Sequence, residues 1–249
     1  MSTMLAHLYI GAVFKHLSGM LEPAIDGRSV ILLCKRERFS AMATEIAKTL
    51  LGARLRTFSG TVGDPLPAPV ERGAAILISF LSPWIVPARI LDRCGLAINF
   101  HPGSVDYPGT GCYNFALYED AGEFGATCHH MLPKVDTGPV IEERRLPIFP
   151  ADTVETLKLR TMVTMLAMFQ DIATSIAQGS DLPVAKSHWT RRAFTRREMN
   201  ALKRLTDDMP RHEVERRIRA TIYPGYDGPY YDRDGRCEMV PVPERAAIA

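Results

Sequence analysis

Short apolar runs alternate along the chain with stretches whose apolar residues recur at helical spacing. Residues 29–34 form a continuous apolar run bounded by Gly27 and by Lys35-Arg36-Glu37-Arg38, which predicts a strand buried on both faces. Residues 39–51 then follow helical spacing up to Gly52, and residues 55–58 predict a short second strand. The Gly/Pro-rich residues 60–69 predict a loop. Residues 74–80 and 96–100 predict two further buried strands, separated by Pro83 and a helix ending near Asp92. Residues 110–120 contain a helix carrying Phe115, Leu117 and Tyr118. Residues 124–132 and 139–148 predict strands joined through Asp136-Thr137-Gly138. Thr153 is placed to cap a long helix running to about Ala177, which Gly179 to Pro183 ends. Beyond it lie helix-like stretches at 196–205 and 211–219, then a Tyr/Gly/Pro-rich segment at 223–231.

Strands alternating with helices predict an α/β fold, a doubly wound and mostly parallel sheet, with a small C-terminal appendage. The expected division is a helical extension at 1–28, a main domain at 29–185 and a small segment at 186–249. The extension carries Leu5, Leu8, Val13, Phe14, Leu17, Met20 and Leu21. Its apolar face would pack on the main domain or on a second subunit, which leaves a homodimer open. It has no basic leader, and His7, Lys15 and His16 interrupt its apolar stretch, so a signal peptide is not expected. No run reaches membrane-spanning length, and a cytoplasmic protein without membrane contact is the expectation. A net charge of +2 over 249 residues gives no global argument for nucleic acid. The five cysteines contain no C-x-x-C pair, which predicts reduced, mostly buried thiols.

The candidate chemistry lies in residues 96–141. A strand gives way there to a loop rich in Gly and Pro (Pro102, Gly103, Pro108, Gly109, Gly111). Asn99 and His101, two apart on an extended backbone, share a face at the strand end. In an open α/β sheet ligands bind beyond the carboxyl ends of the strands, where His101 falls. No G-x-G-x-x-G follows the first strand, so a dinucleotide reading has no support. Asp136-Thr137-Gly138 also begins the aspartic-protease signature, but that chemistry needs a second such motif or a homodimer of much smaller subunits. Cys128, His129 and His101 match no usual zinc spacing, and no metal is expected.

The ordered motifs Asn99-Phe100-His101-Pro102, Tyr107-Pro108-Gly109, Gly125-Ala126-Thr127-Cys128-His129 and Asp136-Thr137-Gly138-Pro139-Val140-Ile141 resemble the folate-dependent N-formyltransferases. The resemblance covers residues 74–150 well and the rest weakly. The loop after His101 is a residue shorter than the common form and carries Asp106, which bears on the shape of the acceptor pocket and not on the chemistry. The resemblance implies catalysis by Asn99, His101 and Asp136. It implies a pterin site formed by Ser79, Phe80, Leu81 and Val86 on one side and Leu132, Pro133, Lys134 and Val135 on the other. It implies acceptor contacts from Tyr107, Gly109, Tyr113 and His129; His130, on the other strand face, is expected to be buried or solvent-facing. The formyl donor would be 10-formyltetrahydrofolate, with no metal. Formyl transfer needs a polarised carbonyl, a neutral amine and a proton acceptor. Asn99 and His101 are of the type to supply the first, and a carboxylate beside the imidazole can orient it and receive the proton.

The acceptor is expected to be a small-molecule primary amine, above all on an amino-sugar nucleotide. Transfer RNA is disfavoured because too little chain follows Tyr231 for a β-barrel domain. Glycinamide ribonucleotide is disfavoured by the missing Gly-Ser-Asn phosphate loop after the first strand. Residues 186–219 hold 11 Lys/Arg against 5 Asp/Glu, which suggests either a surface for a phosphorylated acceptor or RNA, or a solvated helical face. The alternatives are a formyltetrahydrofolate hydrolase, with water replacing the amine, and a non-enzymatic folate- or metabolite-binding protein on the same fold.

Overall fold

The computed structural model describes residues 29–233 and 235–241. The expected helical extension at 1–28 lies outside the described residues. The first strand, β1 (Val30–Lys35), feeds helix α1 (Arg38–Leu51), whose N-terminus is capped by the Glu37 carboxylate on the Ser40 N–H. Strand β2 (Leu55–Gly60) returns alongside β1, and β3 (Ile76–Phe80) pairs on its other side. Strand β4 (Leu96–His101) extends the sheet in parallel with β3. The helix between β3 and β4, α2, is only Ala88–Leu91. Pro87 explains this, because it restricts Val86 to extended backbone and delays helix formation until after it.

Helix α3 (Cys112–Tyr118) leads to β5 (Glu123–His130) and β6 (Val140–Pro147). These last two strands run antiparallel, giving a six-stranded sheet of order β2-β1-β3-β4-β5-β6. The fold is thus α/β with a mostly parallel central sheet. Helix α4 (Val154–Gln178) starts at Thr153, whose hydroxyl accepts from Thr156 N, and stops at Gly179 with φ 70°. A small C-terminal layer follows: α5 (Arg196–Lys203), β7 (Arg204–Leu205), α6 (Arg211–Thr221) and the hairpin β8 (Tyr230–Arg233) and β9 (Arg236–Met239). Strands β7, β8 and β9 make a separate three-stranded sheet.

Strand alternation decides what reaches the site. Val30, Leu32, Ile78, Ile98, Phe100, Ala126 and Cys128 all point toward α1 and α4, where they meet Met162, Met165 and Phe169. Ile31, Leu33, Leu77, Val86 and Ile90 form the core on the opposite face. Phe80, Phe100 and Phe169 pack ring to ring in the first of these cores, with centroids 5.2–5.8 Å apart. Because Ile98 and Phe100 are committed to that core, Asn99 and His101 must project from the other face. Among the described residues no helix is long and apolar enough to cross a membrane.

Candidate active site

The antiparallel register of β4 and β5 sets Asn99 opposite His129 and His101 opposite Thr127. Directly opposed residues on one face have their side chains within reach of each other. Asn99 Nδ2 lies 3.1 Å from His129 Nε2. The Thr127 hydroxyl instead donates to Gly103 O at 2.8 Å, which ties the Pro102–Gly103 turn down over β5. Gly103 is required there, since a Cβ would stand 2.5 Å from His101 Nε2.

Asp136 comes from the turn after β5 and closes the cluster. Its Oδ2 lies 3.3 Å from His101 Nδ1, its Oδ1 lies 3.2 Å from His129 Nε2, and Gly109 N–H donates to Oδ2 at 2.8 Å. The residue adopts φ 49°, a left-handed conformation uncommon for a side chain other than glycine and tolerated best by Asp and Asn. Burial would raise its pKa, but the charge of His101, the hydrogen bond and charge of His129 and the Gly109 N–H together hold it well below the usual carboxylate range. Asp136 is therefore ionised while 4% exposed.

The outer nitrogens of both imidazoles are fixed by backbone carbonyls. His101 Nε2 meets Tyr107 O at 2.9 Å and His129 Nδ1 meets His130 O at 2.8 Å. A carbonyl only accepts, so each of these nitrogens carries its N–H. Any proton gained or lost by either ring is consequently held at the inner nitrogen, which faces Asp136. His129 Nε2 has two suitors: in the neutral ring it accepts from the Asn99 amide, and in the protonated ring it donates to Asp136.

The turn itself is anchored at Gly138. A Cβ at this position would stand 1.8 Å from His130 O, a backbone atom that cannot swing aside. Gly138→Ala is expected to cost about 3 kcal/mol of stability through this overlap. Equilibrium denaturation checks it, and a loss under 0.5 kcal/mol (roughly the surface-substitution range) would show that the turn yields freely.

A cavity of about 230 Å³ opens beside the cluster. Asn99, His101, His129 and Asp136 line one end; Ser79, Leu81 and Val86 and then Leu132, Pro133 and Val135 line its walls, with Trp84 and Met131. Two of the eight expected pterin contacts fall elsewhere. Phe80 is fully buried in the aromatic core on the other side of the sheet, and Lys134 is exposed outside the cavity lining. The acceptor contacts expected of two tyrosines are corrected in the same way. The Tyr107 ring is buried against Phe124 and Phe194 with its hydroxyl on Glu119, and the Tyr113 hydroxyl reaches Met162 in the core. Tyr107 and Gly109 serve the site through backbone atoms, one holding His101 and the other Asp136.

Sequence reasoning missed Trp189, whose half-buried indole stands edge-to-face with both His129 and His101, at 5.1 and 5.8 Å between ring centroids. No signal in the chain marks it, since it lies in an irregular stretch far from the motifs. Asp106, the departure in the loop, is paired with Arg145 at 2.8 Å and accepts from the Thr190 hydroxyl at 3.0 Å. The basic excess of residues 186–219 is largely consumed within the fold. Arg191, Arg192, Arg204, Arg211, Arg216, Arg217 and Arg219 are each ion-paired with an acidic neighbour. A second hollow of about 240 Å³ at the ends of β1 and β2 is lined by Lys35 and Arg36 together with Glu37 and Glu45, and by Ser40, Thr44, Thr57 and Ser59.

Residues 73–169, which contain the cavity end formed by Asn99, His101, His129 and Asp136, match the family model described as formyl transferase. This segment belongs to the formyl transferase family. The formyl transferase segment is 28% identical over 94 residues to phosphoribosylglycinamide formyltransferase of Escherichia coli K12, covering 37% of this chain and 44% of that protein. The chain thus spans less than half the length of the curated relatives it matches first. In three dimensions the likeness extends further. A sugar N-formyltransferase from a Shewanella species superposes with a TM-score of 0.71 at 15% identity, covering 88% of this chain and 99% of that one. The N-formyltransferase of Helicobacter canadensis, solved in complex with folinic acid and dTDP-3-aminofucose, gives 0.64 at 15% identity over 78% and 80% of the two chains. At these identities the superpositions establish the formyltransferase fold. Among the described residues no group of three or more His, Cys, Asp or Glu is arranged to hold a metal ion.

Proposed function

We propose that the protein transfers the formyl group of 10-formyltetrahydrofolate to a primary amine, and that the acceptor is an amino-sugar nucleotide. The observation that carries this reading is the buried, ionised Asp136 set between two imidazoles, with the Asn99 amide beside them at the end of an apolar cavity. The cavity fits the donor in chemical terms. Leu81, Val86, Leu132 and Val135 offer apolar walls to a flat bicyclic ring. Met131 N–H is bonded to Ala97 O and Lys134 O accepts from the Thr137 hydroxyl, but Leu132 and Val135 lie outside the strands and border the cavity, where their backbone groups can face ring nitrogens. The folate supplies the formyl carbonyl and leaves as tetrahydrofolate.

The chain's own groups then divide the work. Asn99 places one amide N–H on His129 Nε2 and keeps the second for an oxygen that gains charge. His101 borders the same end of the cavity, but its Nε2–H is held by Tyr107 O, so it acts through Nδ1, which faces Asp136. Asp136 and the inner imidazole nitrogens receive the proton that the amine loses on acylation. No covalent enzyme intermediate is required.

The amino-sugar nucleotide rests on separate support. The structural relatives include sugar N-formyltransferases, among them the one bound to dTDP-3-aminofucose. Lys35 and Arg36 stand at the end of β1, but Glu37 and Glu45 line the same hollow, and its Cys34 belongs to the sheet face packed on α1, opposite to that of Asn99. Incubation with 10-formyltetrahydrofolate and a panel of amines, read by mass spectrometry, tests the reading. A formylated amino-sugar nucleotide is expected, with a KM that rises with ionic strength as an anionic acceptor requires. Formate release with no formylated amine would favour the hydrolase reading. No turnover with tight folate binding would favour a binding protein.

A further inference from the structure

The segment from Lys186 to Thr195 has almost no regular structure, yet it is fastened along the whole of the site's outer loop. Phe194 N–H donates to Pro108 O and Thr110 N–H donates to Phe194 O, both at 2.9 Å, and Thr190 N–H reaches Val105 O at 3.3 Å. Gly109 is pressed so closely against this segment that a Cβ would meet Phe194 O at 2.4 Å. Its aromatic residue Phe194 stacks on Phe115 with centroids 3.8 Å apart. These contacts hold the segment in place, and Trp189 is the side chain it delivers to the interior.

Among the described residues, the Trp189 side chain makes one hydrogen bond and two ring contacts, all with the cluster or its turn. The indole Nε1–H donates to Gly138 O at 2.8 Å, two residues from Asp136. Its ring stands at 86° to His129 and 71° to His101. Rings set near-perpendicular at these separations attract one another through the opposed signs of their faces and edges. The indole therefore braces the Asp136 turn from one side while Gly138 is wedged against His130 O from the other. It also fixes the two rings at angles that keep their inner nitrogens on the carboxylate. Trp189 is not among the residues lining the 230 Å³ cavity and stands behind His101 and His129, which do line it.

We propose that Trp189 is a positioning residue of this site, acting through the indole–Gly138 hydrogen bond and the indole–imidazole contacts to keep Asp136, His101 and His129 aligned as one proton-holding unit. The activity arm of this inference rests on the formyl-transfer reading; the spectroscopic arm does not. The test compares Trp189→Phe, which keeps an aromatic face without the N–H, with Trp189→Leu, which loses both.

In the full-length protein, kcat for formyl transfer is expected to fall about fivefold in Trp189→Phe, the effect of one neutral hydrogen bond. In Trp189→Leu it should fall about thirtyfold as the aromatic contacts are lost as well. KM for donor and acceptor should stay within about twofold, as expected when only transition-state alignment is lost. Nitrogen-15 spectra at fixed pH should show the imidazole signals of His101 and His129 displaced in both variants and that of the exposed His212 unmoved. Unmoved signals for His101 and His129 overturn the proposal, whatever the activity. A raised KM with unchanged kcat also overturns it, by making Trp189 part of a binding wall. Should Trp189→Leu fail to fold, Trp189→Phe decides alone. Should the unaltered protein form no formylated amine at all, the formyl-transfer reading falls, and the imidazole signals still decide the role of Trp189.

Discussion

Asp136→Asn is expected to lower kcat about a thousandfold with donor and acceptor binding nearly unchanged, the range assigned to loss of a positioned proton acceptor. The amide keeps the shape of the carboxylate but removes the charge between His101 Nδ1 and His129 Nε2, at 3.3 and 3.2 Å. An amide can present an oxygen to one ring only, and its NH₂ then faces the other. Both outer nitrogens are pinned by Tyr107 O and His130 O, so neither ring can exchange tautomers to compensate. Because the residues act as a unit, His101→Ala combined with Asp136→Asn should cost far less than the product of the single losses. Multiplicative losses, with folate still bound, would show that they act independently and would end this mechanism.

The same residue carries a pH signature in stability. The folded pKa of Asp136 is lowered, so its contribution is fully present above the unfolded value, about pH 4, and is lost as pH falls through the folded value. The stability gap between the unaltered protein and Asp136→Asn should therefore be constant near neutrality and close in strong acid. A gap that widened on acidification would contradict the ionised assignment.

Asn99→Ala should lower kcat about 10²–10³-fold while KM changes little, the cost of removing one donor aimed at developing charge. The amide is well placed for this role because β4 holds it at the cavity end and His129 engages only one of its N–H groups. His101→Ala is expected to act on the proton-holding function, since its Nδ1 holds Asp136 while its Nε2–H is held by Tyr107 O. Parallel measurement of kcat and KM for the two variants separates the roles. If Asn99→Ala raised KM for the folate with kcat intact, the amide would be a ground-state ligand and not an oxyanion donor.

Much of the architecture was legible because local patterns and tertiary demands coincide. The runs at 30–35 and 76–80 are strands buried on both faces, which leave a near-continuous apolar signature, and 96–101 keeps that signature apart from Asn99 and His101 at the site. Thr153 as a cap and Gly179 as a stop bound the long helix as their side-chain chemistry requires. The hairpin at 230–239 passed unnoticed although an Asp-Gly pair marks its turn, because its strands are polar and largely exposed. Helix α2 came out shorter than expected for a reason present in the chain, Pro87, to which the apolar spacing is blind.

The sequence by itself determined the sheet, the position of Asn99 and His101 on one face at a strand end, and the presence of a carboxylate in the turn that follows β5. These are consequences of backbone periodicity and turn chemistry, which act over a few residues. Only the tertiary structure decided what those groups touch. The antiparallel register of β5 on β4 brings His129 to Asn99, which the spacing of 30 residues along the chain does not encode. Packing likewise took Tyr107 and Tyr113 into the core and left the backbone of the Tyr107–Gly109 loop to hold the site. It spent most of the C-terminal arginines on acidic partners, and it brought Trp189 back over the two imidazoles from more than fifty residues beyond Asp136. Such contacts are set by which surfaces must be buried together, a property of the whole chain that no local stretch carries.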